Sequence, residues 1–303
     1  MRIERRTLLQ AAGLGLLPGG WGALTAGPAR AADLEYQRVP DLIYGKKGGV
    51  ALTMDVFRPA RPTGIGVLWM VSGGWVSNHN NINVGHARKF LERGQTVFAV
   101  VHGSQPKYTI PEVVQDIDRA TRFVRMHAAE YGVDPDRLGI AGGSAGGHLS
   151  LYQGARGKDG DSQAKDPVDR VHSRVQAVAC FFPPTDFLNY GQTGENAIRT
   201  ETLKAFHHVF GAKSRSDADT EVAARECSPI TYATKEMPPT LIMHGDQDKL
   251  VPIQQAEVFM ARLKDLSVPH KLVVKPGQAH GWPNLLDDVA ILAEWFEQHL
   301  ARK

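Results

Sequence analysis

Residues 137–148 read RLGIAGGSAGGH, and the rest of the chain is organised around them. Leu138, Gly139, Ile140 and Ala141 make a short apolar run of the kind that forms a buried strand. It gives way to Gly142-Gly143-Ser144-Ala145-Gly146-Gly147, a G-x-S-x-G pattern with extra glycines. That pattern marks a very sharp strand-to-helix turn with the serine at its apex, in strained backbone geometry. Gly142 and Gly146, two residues either side of Ser144, must lack side chains, because a Cβ there would clash across the turn. The amides just after Ser144 open the next helix, where they can bind developing negative charge. G-x-S-x-G alone arises often by chance, so the apolar strand before it and the helix-compatible segment 147–154 after it carry the reading.

Upstream, segments 34–44 and 50–57 alternate like an antiparallel strand pair. Segment 64–71, GIGVLWMV, is continuously apolar, as expected of a strand buried on both faces, and ends at Ser72-Gly73-Gly74-Trp75. Segment 83–93 fits a helix closed by Gly94, and 96–101 is the next buried strand. Segment 111–132 is a long amphipathic helix, and Asp134-Pro135-Asp136 turns it into the central strand. This alternation predicts an α/β fold with a doubly wound, mostly parallel sheet and helices on both faces. Downstream, 155–174 is a polar loop, placed either near the serine or elsewhere on the surface. Segment 175–182 is a strand leading to Pro183-Pro184-Thr185-Asp186. About forty residues, 187–228, then interrupt the alternation, the usual place for a small helical cap over a pocket. Strand 240–244, helix 253–266, strand 271–274 and helix 285–300 close the chain.

The 303 residues suit one large α/β domain, 32–303, behind a different leader. Arg5-Arg6-Thr7-Leu8-Leu9-Gln10 precedes an apolar stretch too short to span a membrane, then small residues and Ala29-Arg30-Ala31. Segment 1–31 reads as a twin-arginine-type export signal, which implies the twin-arginine export machinery as partner and a periplasmic or secreted product. It holds four arginines against one glutamate, and the whole chain is formally +3, so the remainder is neutral and no affinity for nucleic acid is read. No later run is long enough for a membrane. Cys180 and Cys227 are expected as two free thiols rather than a bridge. The twelve histidines do not cluster at ligand spacing, and no phosphate-cradling or dinucleotide motif occurs, so no metal and no cofactor are expected.

A serine is a weak nucleophile until a base takes its proton, and a carboxylate orients that base. On a sheet of this kind the partners follow in chain order, serine, acid, histidine. Strand 240–244 exits into Gly245-Asp246-Gln247-Asp248, and carboxylates at a strand's C-terminal end face the ligand side of a parallel sheet. Asp246 and Asp248 are both candidates. Strand 271–274 exits into Gln278-Ala279-His280-Gly281-Trp282, where a histidine between small residues is free to reach over the serine. His148, His244 and His102 are poorer bases by position.

Gly142-Gly143-Ser144-Ala145-Gly146-Gly147, His244-Gly245-x-x-Asp248-x-x-Val251-Pro252 and Ala279-His280-Gly281 together resemble the α/β-hydrolase carboxylesterases, over about residues 48–300. The nearest likeness is to the acetyl xylan and feruloyl esterase group close to the hormone-sensitive-lipase type. The resemblance implies Ser144 as nucleophile, Asp248 rather than Asp246 as acid, and His280 as base. Where that family has H-G-G-G-W, this chain has Val71-Ser72-Gly73-Gly74-Trp75. The implied oxyanion hole is the amides of Gly73, Gly74 and Ala145. The expected reaction is hydrolysis of short-acyl carboxylic esters, with acetyl groups on xylan or a similar polysaccharide among the substrates. A prolyl-oligopeptidase-type peptidase and a non-catalytic binding protein on the same scaffold are the alternatives. Trp75 and Asp186 are the substrate-binding candidates, each also readable as structural.

Overall fold

The computed structural model describes residues 34–211 and 217–302. The segment read as an export signal lies outside them. A hairpin opens the sheet: β1 (Tyr36–Lys47) and β2 (Val50–Pro59) are joined by Gly48-Gly49, both with positive φ. β3 (Gly64–Met70), β4 (Thr96–Val100), β5 (Val133–Gly143), β6 (Ala177–Phe181), β7 (Thr240–Gly245) and β8 (His270–Lys275) complete eight strands, in the order β1-β2-β4-β3-β5-β6-β7-β8. β1 and β2 pair antiparallel, as do β2 and β4, and every pairing from β4 onward is parallel. The parallel strands therefore deliver their C-terminal ends to one rim, which is where ligands bind in such sheets.

The continuous apolar runs are strands covered on both faces. On β3, Leu68 and Met70 enter one core with α2 (Ile110–His127), α3 (Ala145–Arg156) and α5 (Gln254–Asp265). Ile65, Val67 and Trp69 enter the other, with α1 (Val84–Glu92) and α6 (Leu285–His299). α2 starts on a capping box, Thr109 with Glu112, which satisfies amides that have no partner inside the helix. It is shorter than the apolar pattern suggests. At Ala128–Tyr131 it tightens into a 3-10 turn that Gly132 closes in the left-handed region.

The polar loop 155–174 runs along the flank of α2, where Arg119 pairs with Asp166 and Asp169 at 2.6 and 2.9 Å. The insertion after β6 is built of 3-10 turns at Ala197–Arg199 and Glu201–Phe210 and of α4 (Asp217–Cys227). No disulfide joins Cys180 and Cys227, and both are buried.

Candidate active site

Ser144 sits between β5 and α3 with φ 54° and ψ −120°, a conformation an L-residue adopts only when its surroundings force it. The glycines explain how. A Cβ on Gly142 would lie 2.6 Å from the Gly146 carbonyl carbon, and one on Gly146 would lie 2.8 Å from the Met70 oxygen. The Ser144 N–H donates to the Phe181 oxygen at 3.0 Å, which ties the apex to β6.

The turn after β7 carries Asp248, and the loop after β8 carries His280. The imidazole Nδ1 lies 2.7 Å from Asp248 Oδ2, and Nε2 lies 2.9 Å from Ser144 Oγ. Asp248 Oδ1 accepts the N–H groups of Leu250 and Val251, both at 2.9 Å, and His244 Nε2 stands 3.4 Å from Oδ2. Burial pushes the Asp248 carboxyl up, but hydrogen bonds from His244, His280 and the Val251 amide outweigh it and hold it well below the usual carboxylate range. An ionised acceptor at Nδ1 fixes the proton there, which leaves Nε2 free to take one from the serine. Asp246 acts on the neighbouring backbone instead: its Oδ1 accepts the Gly277 N–H at 2.7 Å and so shapes the loop that bears His280.

The oxyanion expectation needs one correction. The Gly73 N–H donates to the Val76 oxygen at 3.1 Å and is not offered to a ligand. The N–H groups of Gly74 and Ala145 have no acceptor among the described residues. Gly74 has φ +55°, and a Cβ there would lie 2.5 Å from the Phe206 ring, so the insertion leaves room for glycine alone. Support for the loop comes from the segment after β4. Gln105 Nε2 donates to the Gly74 oxygen at 2.6 Å and Ser104 Oγ accepts the Ser77 N–H at 2.8 Å, while within the loop Ser77 Oγ donates to the Val71 oxygen at 2.5 Å.

The expectation that Trp75 and Asp186 contact substrate is also corrected by their positions. Trp75 is 3% exposed, with Phe187, Phe206 and Phe210 around its ring. Its indole N–H donates to His148 Nδ1 at 3.2 Å, and His148 Nε2 in turn reaches the Cys227 oxygen at 2.7 Å. Since indole nitrogen only donates, His148 is neutral with its proton on Nε2. Burial lowers its pKa to about 4. This buried relay joins the loop, α3 and the insertion through a histidine that, by its place in the sequence, only counts as a poor base. Asp186 caps its own turn: Oδ1 accepts the Leu188 N–H and Oδ2 the Asn189 amide, at 2.9 and 2.8 Å.

The cleft over Ser144 has a volume of about 510 Å³ and is bordered by His86 of α1 and Leu285 of α6. Beside Ser144 and His280 its walls include Trp69, Ser72, Asn81, His86, Phe182 and Leu285. His86 stacks on Trp69 with ring centroids 4.9 Å apart. These walls come from five separated segments, and no local pattern marks them. Elsewhere, Asp41, Asp55 and His79 bring one metal-ligand-type atom each within 4.8 Å, but Arg38 already pairs with Asp55 at 2.5 Å. Chemically, the cleft offers an alcohol beside an imidazole nitrogen oriented by a carboxylate, and two unengaged amides.

The sequence model of the BD-FAE family matches residues 54–263. The probable carboxylic ester hydrolase LipM of Mycobacterium tuberculosis is 32% identical over 87% of this chain and 61% of its own length. Esterase LipQ of the same organism is 29% identical over 77% of this chain and 49% of its length. The chain thus spans about half to three-fifths of these relatives. In structure it resembles a truncated carbohydrate esterase from gut microbiota, with TM-score 0.75, 22% identity and coverage of 90% and 99% of the two chains. It also resembles esterase 2 of Thermogutta terrifontis phosphonylated by sarin, with TM-score 0.69, 25% identity and coverage of 90% and 98%. On the strength of the match over residues 54–263, which takes in the elbow and Asp248, the chain belongs to the BD-FAE family.

Proposed function

We propose that this protein hydrolyses carboxylic esters with short acyl groups through an acyl-enzyme on Ser144. The observation that carries the reading is the chain of hydrogen bonds Asp248–His280–Ser144, at 2.7 and 2.9 Å, at the C-terminal rim of the sheet. In the reaction His280 Nε2 takes the Ser144 proton while Oγ bonds to the ester carbonyl carbon, and the carbonyl π pair moves to oxygen. The N–H groups of Gly74 and Ala145 meet that oxyanion, each donor being worth about 3 kcal/mol of barrier. The imidazolium returns its proton to the leaving alkoxide. Water, activated by the same nitrogen, then releases the acid and restores the serine.

Acetyl groups on xylan or a related polysaccharide are the substrate class we assign. Support comes from the cleft, which mixes apolar walls with Asn81 and His86, and from the carbohydrate-esterase neighbour. We assign export by the twin-arginine machinery and a periplasmic or secreted location to residues 1–31, from Arg5-Arg6 and the Ala-x-Ala site. The test is turnover of p-nitrophenyl acetate, butyrate and octanoate and of acetylated xylan by the wild type and Ser144→Ala. Acetate should be preferred and the variant inactive. Hydrolysis that survives the substitution would overturn the assignment. Replacing Arg5 and Arg6 by lysine should leave the precursor in the cytoplasm of the producing cell, as seen on fractionation.

A further inference from the structure

In an extended strand successive side chains point to opposite faces. β6 ends at Phe181, and Phe182, the first residue beyond it, does not continue the alternation. Both lie in the core on the α1–α6 side, with ring centroids 6.0 Å apart. The reason is the backbone of Phe182, whose φ of +35° belongs to a region that a bulky L-residue avoids. Its N–H is tied to the Met243 oxygen of β7 at 2.8 Å, so the unusual turn is held from outside. Strain of this kind persists only where the surroundings impose it, and it concentrates at working sites.

The strained turn delivers the Phe182 ring to His280. The two ring centroids are 4.4 Å apart at an interplanar angle of 54°, and Trp282 packs T-shaped against Phe182 with centroids 5.7 Å apart. The ring is 7% exposed and lines the cleft next to Gly143 and Ser144. Among the described residues, hydrogen bonds hold the His280 imidazole at its edges, to Asp248 and Ser144, on a loop whose Gly281 has φ +95°. We infer that Phe182 is a positioning residue for the reaction: its ring fixes the tilt of the His280 imidazole over Ser144 and stabilises the imidazolium formed when Nε2 takes the serine proton. An aromatic ring within about 6 Å of a forming cation attracts it through its quadrupole, and more strongly where water is excluded. The inference rests on the reading of His280 as the base.

The other groups around the imidazole are accounted for. Asp248 bonds it from the β7 turn and Ser144 from the elbow, His244 of β7 stands 3.4 Å from Asp248 with its ring centroid 6.4 Å from that of Phe182, and His86 lines the same cleft, while Lys275 and Asp288 pair with each other at 2.7 Å. Phe182 adds no charge, so changing it leaves all of these ionisable groups in place.

The experiment compares Phe182→Leu, Phe182→Ala and Phe182→Tyr in the full chain, with p-nitrophenyl acetate as substrate and rates normalised to serine titrated by a phosphonate. Leucine keeps apolar bulk without a π face. We expect kcat to fall about tenfold for leucine and more for alanine, with KM within about twofold, and tyrosine to keep most of the rate. The acid limb of the pH–rate profile should move to lower pH by about half a unit in the leucine variant, because the protonated base has lost a stabilising neighbour. A leucine variant with wild-type kcat and an unmoved acid limb would overturn the inference, as would a loss that vanishes on normalisation to titrated serine. A wild type without esterase activity would instead refute the function proposed above.

Discussion

Asp248 shows how much can rest on one side chain. Two backbone amides fix one oxygen, and the imidazole uses the other. Asp248→Asn therefore places a group that can donate where only an acceptor serves, and favours the wrong tautomer of His280. We expect kcat to fall by roughly 10³–10⁴-fold with a folded protein, measured by ester turnover alongside a thermal melt. Trp75 makes a subtler case. Trp75→Phe keeps an aromatic ring among Phe187, Phe206 and Phe210 but leaves His148 Nδ1 buried without its donor. That should cost about 1–3 kcal/mol of stability by denaturant unfolding. Because Trp75 follows Gly74 in the loop, kcat should also drop more than KM rises.

At the scale of elements, the elbow is tight because β3 and β5 run side by side beneath it. Gly146→Ala puts a methyl group 2.8 Å from the Met70 oxygen, which is backbone and has little freedom to retreat. A loss of about 1–3 kcal/mol, with lower activity per folded molecule, is the expected result of thermal melts and serine titration. This element was legible in the sequence because its demands are local: an apolar run, small residues two positions either side of a serine, and a helix. The order of strands and helices was legible for the same reason, through their periodicities. What was not legible depends on partners far along the chain. The burial of Trp75 under the insertion and the placing of Phe182 beside Phe181 both arise from packing between segments, whereas the bond from the Gly73 N–H to the Val76 oxygen is a turn within one loop that no residue pattern marks. The spacing of Asp246 and Asp248 left the acid open until the resemblance chose one. Only the structure shows that Asp246 holds the Gly277 amide.

The whole molecule carries a pH dependence in its buried histidines. Burial lowers both His102 and His148 from 6.5 to about 4. In the unfolded chain each binds a proton below about pH 6.5, and in the folded chain neither does until about pH 4. The unfolded state thus holds more protons in that window, so stability rises with pH across it, by about 1.4 kcal/mol per unit for each histidine. Melting temperature should climb from pH 4.5 to pH 7, and His148→Gln should flatten the climb. A melting temperature independent of pH over that range would mean the two imidazoles are not buried as described.

The same molecule-wide architecture brings three side chains, separated by more than a hundred residues from first to last, to one rim of the sheet. Reaction with a p-nitrophenyl phosphonate, followed by mass spectrometry of the digested chain, tests that convergence most directly. One adduct per wild-type chain, on the peptide containing Ser144, and none at equal times in His280→Ala is the predicted result. An unlabelled wild type, or a label on another serine such as Ser72, would contradict it.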